Sequence, residues 1–427
     1  MRLSKFVRVL SQGAGVTVLV ASMGLAACGK SSSTPGVGSS KVITIASELP
    51  VTGSDAGDGL PTQNGVELAV SQATLTGGYT LKFESKNDVS TTSGTHDPGT
   101  GATNLTALGT DPTVLGVVGP FNSSVAVAEI PVANNLGLTL ISPSNTNPGL
   151  TLSQYALANN INFAQLHPSG LPDCYYRLPG NDVVQGGLLA KIALTAVPGV
   201  KPAFTTAYVV DDNETYGVGL SAFFTAAFTA GGGTVVGHDS ITQNQASALT
   251  SLATKIKAAK PQFVFYGGVT SNGGGTLKAD LGASTVMEGG DGIADDPSWL
   301  STAGAAAANT FGTVAAPDTS GFTSTTAKAF VSSYTAKYGS APIPYSAQSF
   351  DAANVIISAI QSVITAGQTP TRANVCAAVG KINYTGTIGP ISFDQFGDNS
   401  GQKVFSVYAT APDGKSWVFQ QEVPVTG

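Results

Sequence analysis

Short apolar runs alternate with longer segments of helical periodicity along this chain, and the alternation limits the fold more than any other feature. Four runs predict buried strands, at 42–45, 79–83, 114–118 and 138–141. Three intervening segments predict helices, at 63–73, 102–108 and 124–136. Because strand–helix–strand repeats join parallel neighbours, the pattern favours a mostly parallel sheet with helices packed on its faces.

The same pattern starts again after residue 179. Three helices are predicted at 182–197, 219–230 and 246–259, and three strands at 206–210, 233–236 and 262–266. A chain of 427 residues suits two domains of ordinary size, so we predict two α/β lobes. Periodicity does not assign the later helices, at 327–337 and 347–364, or the strand at 404–408, to either lobe.

The first 28 residues predict an export signal. Arg2, Lys5 and Arg8 give a basic start, an apolar segment follows, and Leu25-Ala-Ala-Cys28 ends it. The apolar segment is too short and too rich in glycine to predict a membrane-spanning helix.

Leu-Ala-Ala-Cys resembles a bacterial lipobox. We therefore expect a signal peptide at 1–27, a lipid on Cys28, and a flexible tether over 28–41 that reaches about 20 Å as a random coil. The alternative is an ordinary signal peptide with an incidental cysteine.

The charge of the chain argues against nucleic acid as a partner. The formal net charge is −6, and removing the three basic residues of the leader takes it to about −9 by the same count. Binding to phosphates needs clustered Lys and Arg, which this sequence lacks.

Cysteine and histidine usage shows no metal-binding pattern. Cys174 and Cys376 are the only cysteines after the leader, and the sequence leaves open whether they form a disulfide. His96, His167 and His238 are far apart in the sequence, so we predict neither a zinc site nor a Cys/His nucleophile pair. No cofactor is predicted.

The sequence also lacks catalytic motifs. The acidic pairs Asp211-Asp212 and Asp295-Asp296 are of the type that acid–base catalysis uses, but neighbours in sequence point apart, and we expect such loop pairs to be solvated. No Gly-x-Ser-x-Gly elbow occurs. We therefore predict a protein that is not an enzyme.

Polar loops follow two of the predicted strands. The segment GPFNSS (119–124) follows one strand and SPSNTNP (142–148) follows the next. Ligands of open α/β sheets collect at the carboxyl ends of strands, and a helix start with free N–H groups attracts a carboxylate. Alternatively, Ser123 caps its own helix and 144–146 form a turn. Two such loops at successive strand ends favour a shared ligand site.

Ten segments resemble, in the same order, those of the solute-binding proteins of branched-chain amino-acid ABC importers, which are type I periplasmic binding proteins: ITIASELPVTG, NGVELAV, VVGPFNSS, LISPSNTNPGLT, YYRLPGNDVVQG, VVDDNETYGVGL, IKAAKPQFVFYGG, GGDGIAD, PYSAQSFDAANVI and GPISFDQFGDN. The resemblance runs from about Val42 to Lys415. It implies an α/β fold of two Rossmann-like lobes with parallel sheets, joined by three hinge crossovers. The implied boundaries are 42–179 and 318–399 for lobe 1, and 180–317 and 400–427 for lobe 2.

The resemblance also implies roles for individual residues. Ser123, Ser144 and Thr146 are similar to positions that hold the α-carboxylate of an amino acid and help to hold its ammonium group. Tyr216 is similar to a tyrosine that the second lobe places on the ligand. Asp291 stands at an acidic position that pairs with the ligand ammonium; the alternative is a turn residue among glycines.

Other positions point to the solute's side chain. Phe121, Asn122 and Asp58 fall where this family lines its specificity pocket. Val269 stands where the family often has an aromatic residue, which implies a wider or less apolar pocket. The segment 151–174 is longer than the usual connection of the family.

These observations predict a lipid-anchored extracytoplasmic protein that captures an amino acid or a similar small polar solute by lobe closure. Its partners would be the membrane permease and ATPase subunits of an ABC importer. The alternatives are the same fold binding an amide, a urea or an aromatic acid, and a ligand sensor without a transport role.

Overall fold

The computed structural model describes residues 41–196, 203–242 and 244–425. The predicted signal peptide, Cys28 and all of the predicted tether except Lys41 lie outside these residues. No helix within the described ranges is long and apolar enough to cross a membrane.

The first lobe is built on a sheet of five parallel strands. The strands are β1 (Val42–Glu48), β2 (Thr80–Lys86), β3 (Val114–Val118), β4 (Thr139–Ser142) and β5 (Tyr175–Arg177). Their spatial order is β2-β1-β3-β4-β5, and every neighbouring pair is parallel. The helices between them are α1 (Ala56–Gln72), α2 (Pro98–Thr110), α3 (Ser123–Leu136), α4 (Ser153–Ala156) and α5 (Phe163–Leu166).

The second lobe follows without a break in the pattern. Its parallel strands are β6 (Thr206–Asp211), β7 (Thr234–Ser240), β8 (Phe263–Gly267), β9 (Met287–Gly289) and β10 (Thr310–Val314). Its helices are α6 (Asp182–Leu194), α7 (Thr215–Ala230), α8 (Ala246–Ala259), α9 (Gly274–Leu281) and α10 (Pro297–Ala303).

The chain then returns to the first lobe. The returning elements are α11 (Thr325–Tyr338), α12 (Pro344–Thr365), α13 (Arg372–Val379) and a hairpin of β11 (Tyr384–Gly386) and β12 (Gly389–Ile391). Two final strands, β13 (Lys403–Thr410) and β14 (Trp417–Val425), add to the second sheet in antiparallel fashion. That sheet has the order β14-β13-β10-β9-β8-β6-β7 and is therefore mixed rather than wholly parallel.

Each sheet separates two apolar cores. On the first sheet, Ile45 faces α1 and α12, whereas Val117 faces α2 and α3. On the second sheet, Val264 faces α8 to α10, whereas Phe265 faces α6 and α7. Strands covered on both faces read as continuous apolar runs, which is why these segments were recognisable in the sequence.

An ion pair lies where the chain crosses between the lobes. Arg177, at the end of β5, is 0% exposed, and its Nε donates to Asp398 Oδ1 at 2.6 Å. Its remaining N–H groups reach Asn147 O at 2.5 Å and Thr151 Oγ1 at 2.7 Å. Burial alone raises the pKa of Asp398, but Arg177 more than offsets this, so the carboxyl pKa lies below its ordinary value. The pair ties the first and third crossovers together.

Cys174 and Cys376 form a disulfide that the sequence left open. Cys174 precedes β5 and Cys376 lies in α13, 202 positions later in the chain, with their Cα atoms 5.5 Å apart. The disulfide joins the sheet of the first lobe to one of the helices that return to it.

Helix α1 begins earlier than predicted. The sequence predicted its start at 63, two residues after Pro61, and proline is unfavourable in a helix interior because it lacks a backbone N–H. The structure begins α1 at Ala56 and accommodates Pro61 within the helix. Contacts from the returning helices hold this turn, because Tyr334 Oη of α11 and Ser346 Oγ of α12 donate to Pro61 O at 3.0 and 2.9 Å.

Candidate functional site

The polar loops that follow β3 and β4 are bonded to one another. Ser142 Oγ donates to Pro120 O at 2.7 Å, and Ser144 Oγ donates to Phe121 O at 2.8 Å. Asn145 Nδ2 donates to the same Phe121 carbonyl at 2.7 Å. Much of the polar sequence at this strand end therefore holds the neighbouring loop in place.

This arrangement restricts what Ser144 can do for a ligand. A hydroxyl has one proton, and Ser144 gives it to Phe121 O. In this conformation its oxygen can accept a hydrogen bond from an ammonium group but cannot donate one to a carboxylate.

The N-terminus of α3 is free of side-chain caps. The N-cap residue is Asn122, and no side chain accepts a hydrogen bond from the first backbone N–H groups. The alternative in which Ser123 caps its own helix is therefore wrong, because Ser123 is the first helical residue. Free N–H groups and the positive end of the helix dipole suit a carboxylate at this point.

A cavity lies beside this helix end, and its empty space, including the part that is open to solvent, is about 290 Å³. We call it the Asp291 chamber, and its wall consists of Phe121, Asn122, Ser123, Ser144, Thr146, Tyr216, Val269, Asp291 and Gly292. Eight of these nine were predicted as ligand-binding residues from the sequence. The first five belong to the first lobe and the last four to the second, so the chamber lies between the lobes.

A second cavity adjoins the first, and its empty space, including the part that is open to solvent, is about 320 Å³. We call it the Asp58 chamber, and its wall consists of Ser54, Asp55, Asp58, Phe121, Asn122, Val269, Thr270, Gly292, Asp296 and Ser298. The two chambers share Phe121, Asn122, Val269 and Gly292. Asp58, the ninth residue predicted from the sequence, lies here. Its role and those of the other eight stay predictions.

Asp291 is held by two tyrosines. Tyr216 Oη donates to Asp291 Oδ1 at 2.8 Å, and Tyr345 Oη donates to Oδ2 at 2.5 Å. Burial raises the pKa of Asp291, while hydrogen bonds from Tyr345, Gln185 and Tyr216 oppose the rise. Tyr345 lies on α12 of the first lobe, so its bond to Asp291 connects the two lobes.

Tyr345 was missed from the sequence. It stands in the segment PYSAQSFDAANVI, which contributed to the resemblance but suggested no ligand role. Its ring packs edge-on against Phe121, with centroids 5.4 Å apart, so it supports the wall of both chambers. The helix predicted from the sequence at 347–364 did not include Tyr345.

Asp182 was also missed. It is 0% exposed, and neither carboxylate oxygen has a hydrogen-bond partner within the described ranges. Burial, followed by the nearby Asp291 carboxylate, raises its pKa well above the ordinary value, although Thr146 and Arg177 lower it. Its backbone N–H donates to Thr146 O at 2.9 Å, which places it directly behind the chamber wall.

Three of the four residues in the acidic pairs are buried, although the sequence predicted that the pairs would be solvated. Asp211 and Asp212 are 2% and 5% exposed, and Asp296 is 4% exposed. Asp212 Oδ2 accepts from Val269 N at 3.0 Å, so this carboxylate holds the loop that carries Val269 into the cavity wall. Local backbone N–H groups, two residues further along the chain, also donate to Asp211, Asp212 and Asp296. The bond from Val269 comes from a distant segment, so the sequence did not reveal it.

Carboxylates crowd around Asp58. Burial, then Asp296, Asp295, Asp55 and Asp291, raise the pKa of Asp58 well above its ordinary value. No three His, Cys, Asp or Glu side chains of the described chain are grouped as metal ligands.

Two α/β lobes that enclose a polar cavity between their strand ends define a two-lobed solute-binding protein. The family described as periplasmic binding protein matches residues 42–415. The chain therefore belongs to this family of extracytoplasmic binding proteins.

Relatives and solved structures support the same placement. The chain is 30% identical over 259 residues to the Leu/Ile/Val-binding protein BraC3 of Rhizobium johnstonii, which covers 60% of this chain and 63% of the relative. A homologue from Brucella melitensis is 29% identical over 264 residues. The chain thus spans 63% of the length of both curated relatives.

Two solved structures confirm the predicted fold. LivJ of Streptococcus pneumoniae, in complex with isoleucine, matches with a TM-score of 0.71 at 22% identity and covers 90% of this chain and 100% of its own. A solute-binding protein of R. palustris, in complex with benzoate, matches with a TM-score of 0.67 at 20% identity and covers 90% of this chain and 98% of its own.

Proposed function

We propose that this protein captures an amino acid, or a solute with the same ammonium and carboxylate groups, by closing its two lobes over it. The carrying observation is the arrangement of the Asp291 chamber. Free N–H groups of α3 and Ser123 lie on one side, and a carboxylate lies on the other. A zwitterion that leaves water needs a partner at both ends, and this chamber offers one for each.

The α-carboxylate would lie against the start of α3. Ser123 contributes its hydroxyl and the helix contributes N–H groups without side-chain caps. Ser144 would serve the ammonium instead, because its own proton is already donated.

Asp291 would face the ammonium group. Both tyrosines donate to this carboxylate and leave lone pairs for a cation. At ~4 Å and an effective dielectric near 20, the attraction is about 4 kcal/mol before desolvation, which offsets much of it. The larger consequence is selectivity, because a solute without a cation leaves a buried carboxylate unpaired.

Lobe closure would complete the site. Ser123 and Thr146 belong to the first lobe, whereas Tyr216, Val269 and Asp291 belong to the second. A solute that touches both sets favours the closed conformation, which is a shift of population toward that state. The bond from Tyr345 to Asp291 adds a protein contact that exists only when the lobes meet.

We also propose the cellular context predicted from the sequence. The protein would be anchored through a lipid on Cys28 outside the cytoplasmic membrane, with lobe boundaries near 179, 317 and 399. It would deliver its solute to the permease and ATPase subunits of an ABC importer and would catalyse no reaction itself.

Isothermal titration calorimetry with a panel of amino acids, amides, ureas and aromatic acids tests this function. We expect an amino acid to bind, and Asp291→Asn to weaken its binding at least tenfold while the fold is retained. The amide keeps the size of the side chain, removes its charge and replaces one acceptor oxygen with an NH₂ donor, so one of the two tyrosine hydroxyls must turn to accept. Undiminished affinity in Asp291→Asn, or binding of aromatic acids alone, would exclude the ammonium role.

A further inference from the structure

The Asp58 chamber is acidic and has no opposite charge in its wall. Asp55, Asp58 and Asp296 contribute three carboxylates. Among the described residues, no Lys or Arg lines this chamber or the Asp291 chamber. A pocket for an apolar side chain would instead be lined by apolar groups.

The three carboxylates differ in their partners. Asp55 Oδ2 lies 3.0 Å from His96 Nδ1, and this histidine outweighs the effect of burial, so the pKa of Asp55 is lowered. Asp296 Oδ1 accepts from Ser298 N at 2.7 Å at the start of α10. Asp58 is partly exposed, its carboxylate accepts no hydrogen bond from any described residue, and the charged groups that act on it most strongly are other carboxylates. Asp58 is thus the acceptor available to a ligand.

One further acceptor in the wall of the Asp58 chamber lacks a partner. Asn122 lines both chambers, and its Oδ1 is buried and has no hydrogen-bond partner within the described ranges. Buried polar atoms are rarely left unpaired. This amide oxygen, independent of the carboxylates, favours a solute that supplies an N–H donor.

We propose that the Asp58 chamber receives a cationic side chain, so that the solute is an amino acid ending in an ammonium, guanidinium or amidine group. This inference rests on the proposed function, in which the Asp291 chamber holds the α-carboxylate and α-ammonium groups. The two chambers share four wall residues, so the side chain of a solute held in the Asp291 chamber would lie next to the Asp58 chamber. A metal ion does not suit the site, because no three potential ligands within the described ranges are suitably grouped.

Desolvation explains the selectivity. An apolar side chain would displace water from Asp58 without replacing its hydrogen bonds, and the desolvation of a carboxylate costs free energy. A cation replaces the lost water with an opposite charge and hydrogen-bond donors. It also opposes the effect of the neighbouring carboxylates, so its binding lowers the pKa of Asp58.

Two matched pairs of solutes test the proposal on the purified full-length protein. Lysine and norleucine differ by the terminal ammonium, and arginine and citrulline are similar in shape but differ in charge. By isothermal titration calorimetry at pH 7, we expect the charged member of at least one pair to bind at least tenfold more tightly.

The variant Asp58→Asn tests the contribution of the Asp58 chamber separately from that of the Asp291 chamber. The charged solute should lose at least tenfold in affinity, while its neutral counterpart changes less than twofold. Asp413→Asn, which removes an exposed carboxylate remote from both chambers, should change neither. Because Asp58 accepts no hydrogen bond from the described chain, Asp58→Asn should melt no lower than the unaltered protein.

The outcomes separate the two proposals. If norleucine or leucine binds at least as tightly as lysine and arginine, or Asp58→Asn leaves the preference intact, the cationic side chain is excluded and amino-acid capture stands. If no amino acid binds, or only an aromatic acid or amide does, the proposed function itself fails. The comparison of solutes on the unaltered protein decides the matter even if the variant does not fold.

Discussion

Three carboxyl groups buried together in the first lobe should make the stability of this protein depend on pH. Glu48, Asp88 and Glu129 are each 0% exposed. Asn104 Nδ2 donates to Glu48 Oε1 at 3.0 Å, and the other five carboxyl oxygens have no partner within the described ranges. A proton shared between the neighbouring Glu48 and Glu129 would satisfy two of them.

The sign of the effect follows from the pKa shifts. Burial raises the pKa of all three groups, and mutual repulsion adds to the rise for Asp88 and Glu129. The folded protein therefore keeps protons that the unfolded chain releases above its ordinary values of 3.8 for Asp and 4.5 for Glu. Stability is fully present below those values and is lost as the pH rises through the raised ones.

Glu129→Gln should stabilise the protein at high pH. The amide cannot ionise, and its NH₂ group supplies a donor beside Glu48. An unsatisfied buried polar group costs about 1–3 kcal/mol, so we expect a gain of that size at pH 8 and a smaller one at pH 5. At about 2 °C per kcal/mol for a protein of this size, the melting temperature should rise by about 2–6 °C at pH 8.

Differential scanning calorimetry between pH 5 and pH 8 measures this change. Glu84→Gln is a suitable control, because Glu84 is partly exposed and its only ion pair within the described ranges is with Lys86 at 3.0 Å; its effect should stay within about 0.5 kcal/mol at either pH. Equal melting temperatures for Glu129→Gln and the unaltered protein at pH 8, or a loss of stability there, would show that the cluster is already balanced.

Three further changes have defined expectations. Reducing the disulfide between Cys174 and Cys376, which closes a long loop, should lower stability by about 2–5 kcal/mol in a denaturant titration; an unchanged midpoint would mean that the two do not pair in solution. Asp398→Asn should cost about 3–5 kcal/mol because it leaves the Arg177 guanidinium buried without its counter-ion, and chemical denaturation would detect the loss. Tyr345→Phe removes a hydroxyl bond between the lobes to a charged group, worth about 1.5–3 kcal/mol, so calorimetry should show solute binding weakened about tenfold or more; unaltered affinity would mean that the bond does not contribute to closure.

The sequence predicted the elements of the fold wherever the local pattern and the tertiary environment agree. Val114–Val118 is apolar throughout because both faces of β3 are covered, and its type was evident. The start of α1 was not evident from the sequence, because contacts with α12 stabilise a helical turn at Pro61 that the local sequence disfavours. The pairing of Cys174 with Cys376 depends on where two distant segments meet, which spacing does not reveal.

The candidate site likewise contains some residues that the sequence predicted and others that it did not. Ser123 and Thr146 lie in loops at strand ends, where the geometry of parallel sheets predicts ligands, and they line one cavity with Asp291. Tyr345 and Asp182 come from helices whose sequence indicates packing, and only the folded chain brings them to the chamber. The resemblance to the family predicted that Asp58 lines the specificity pocket, but it did not predict that several other carboxylates lie close to Asp58.

A crystal structure of the protein with the tightest-binding solute of the panel is the most direct test of capture between the lobes. We predict that the solute lies in the Asp291 chamber, with its carboxylate at the N-terminus of α3 beside Ser123 and its ammonium against Asp291. Its side chain should extend toward Asp58. A solute bound outside the two chambers, or in contact with one lobe only while the lobes are closed, would contradict this account.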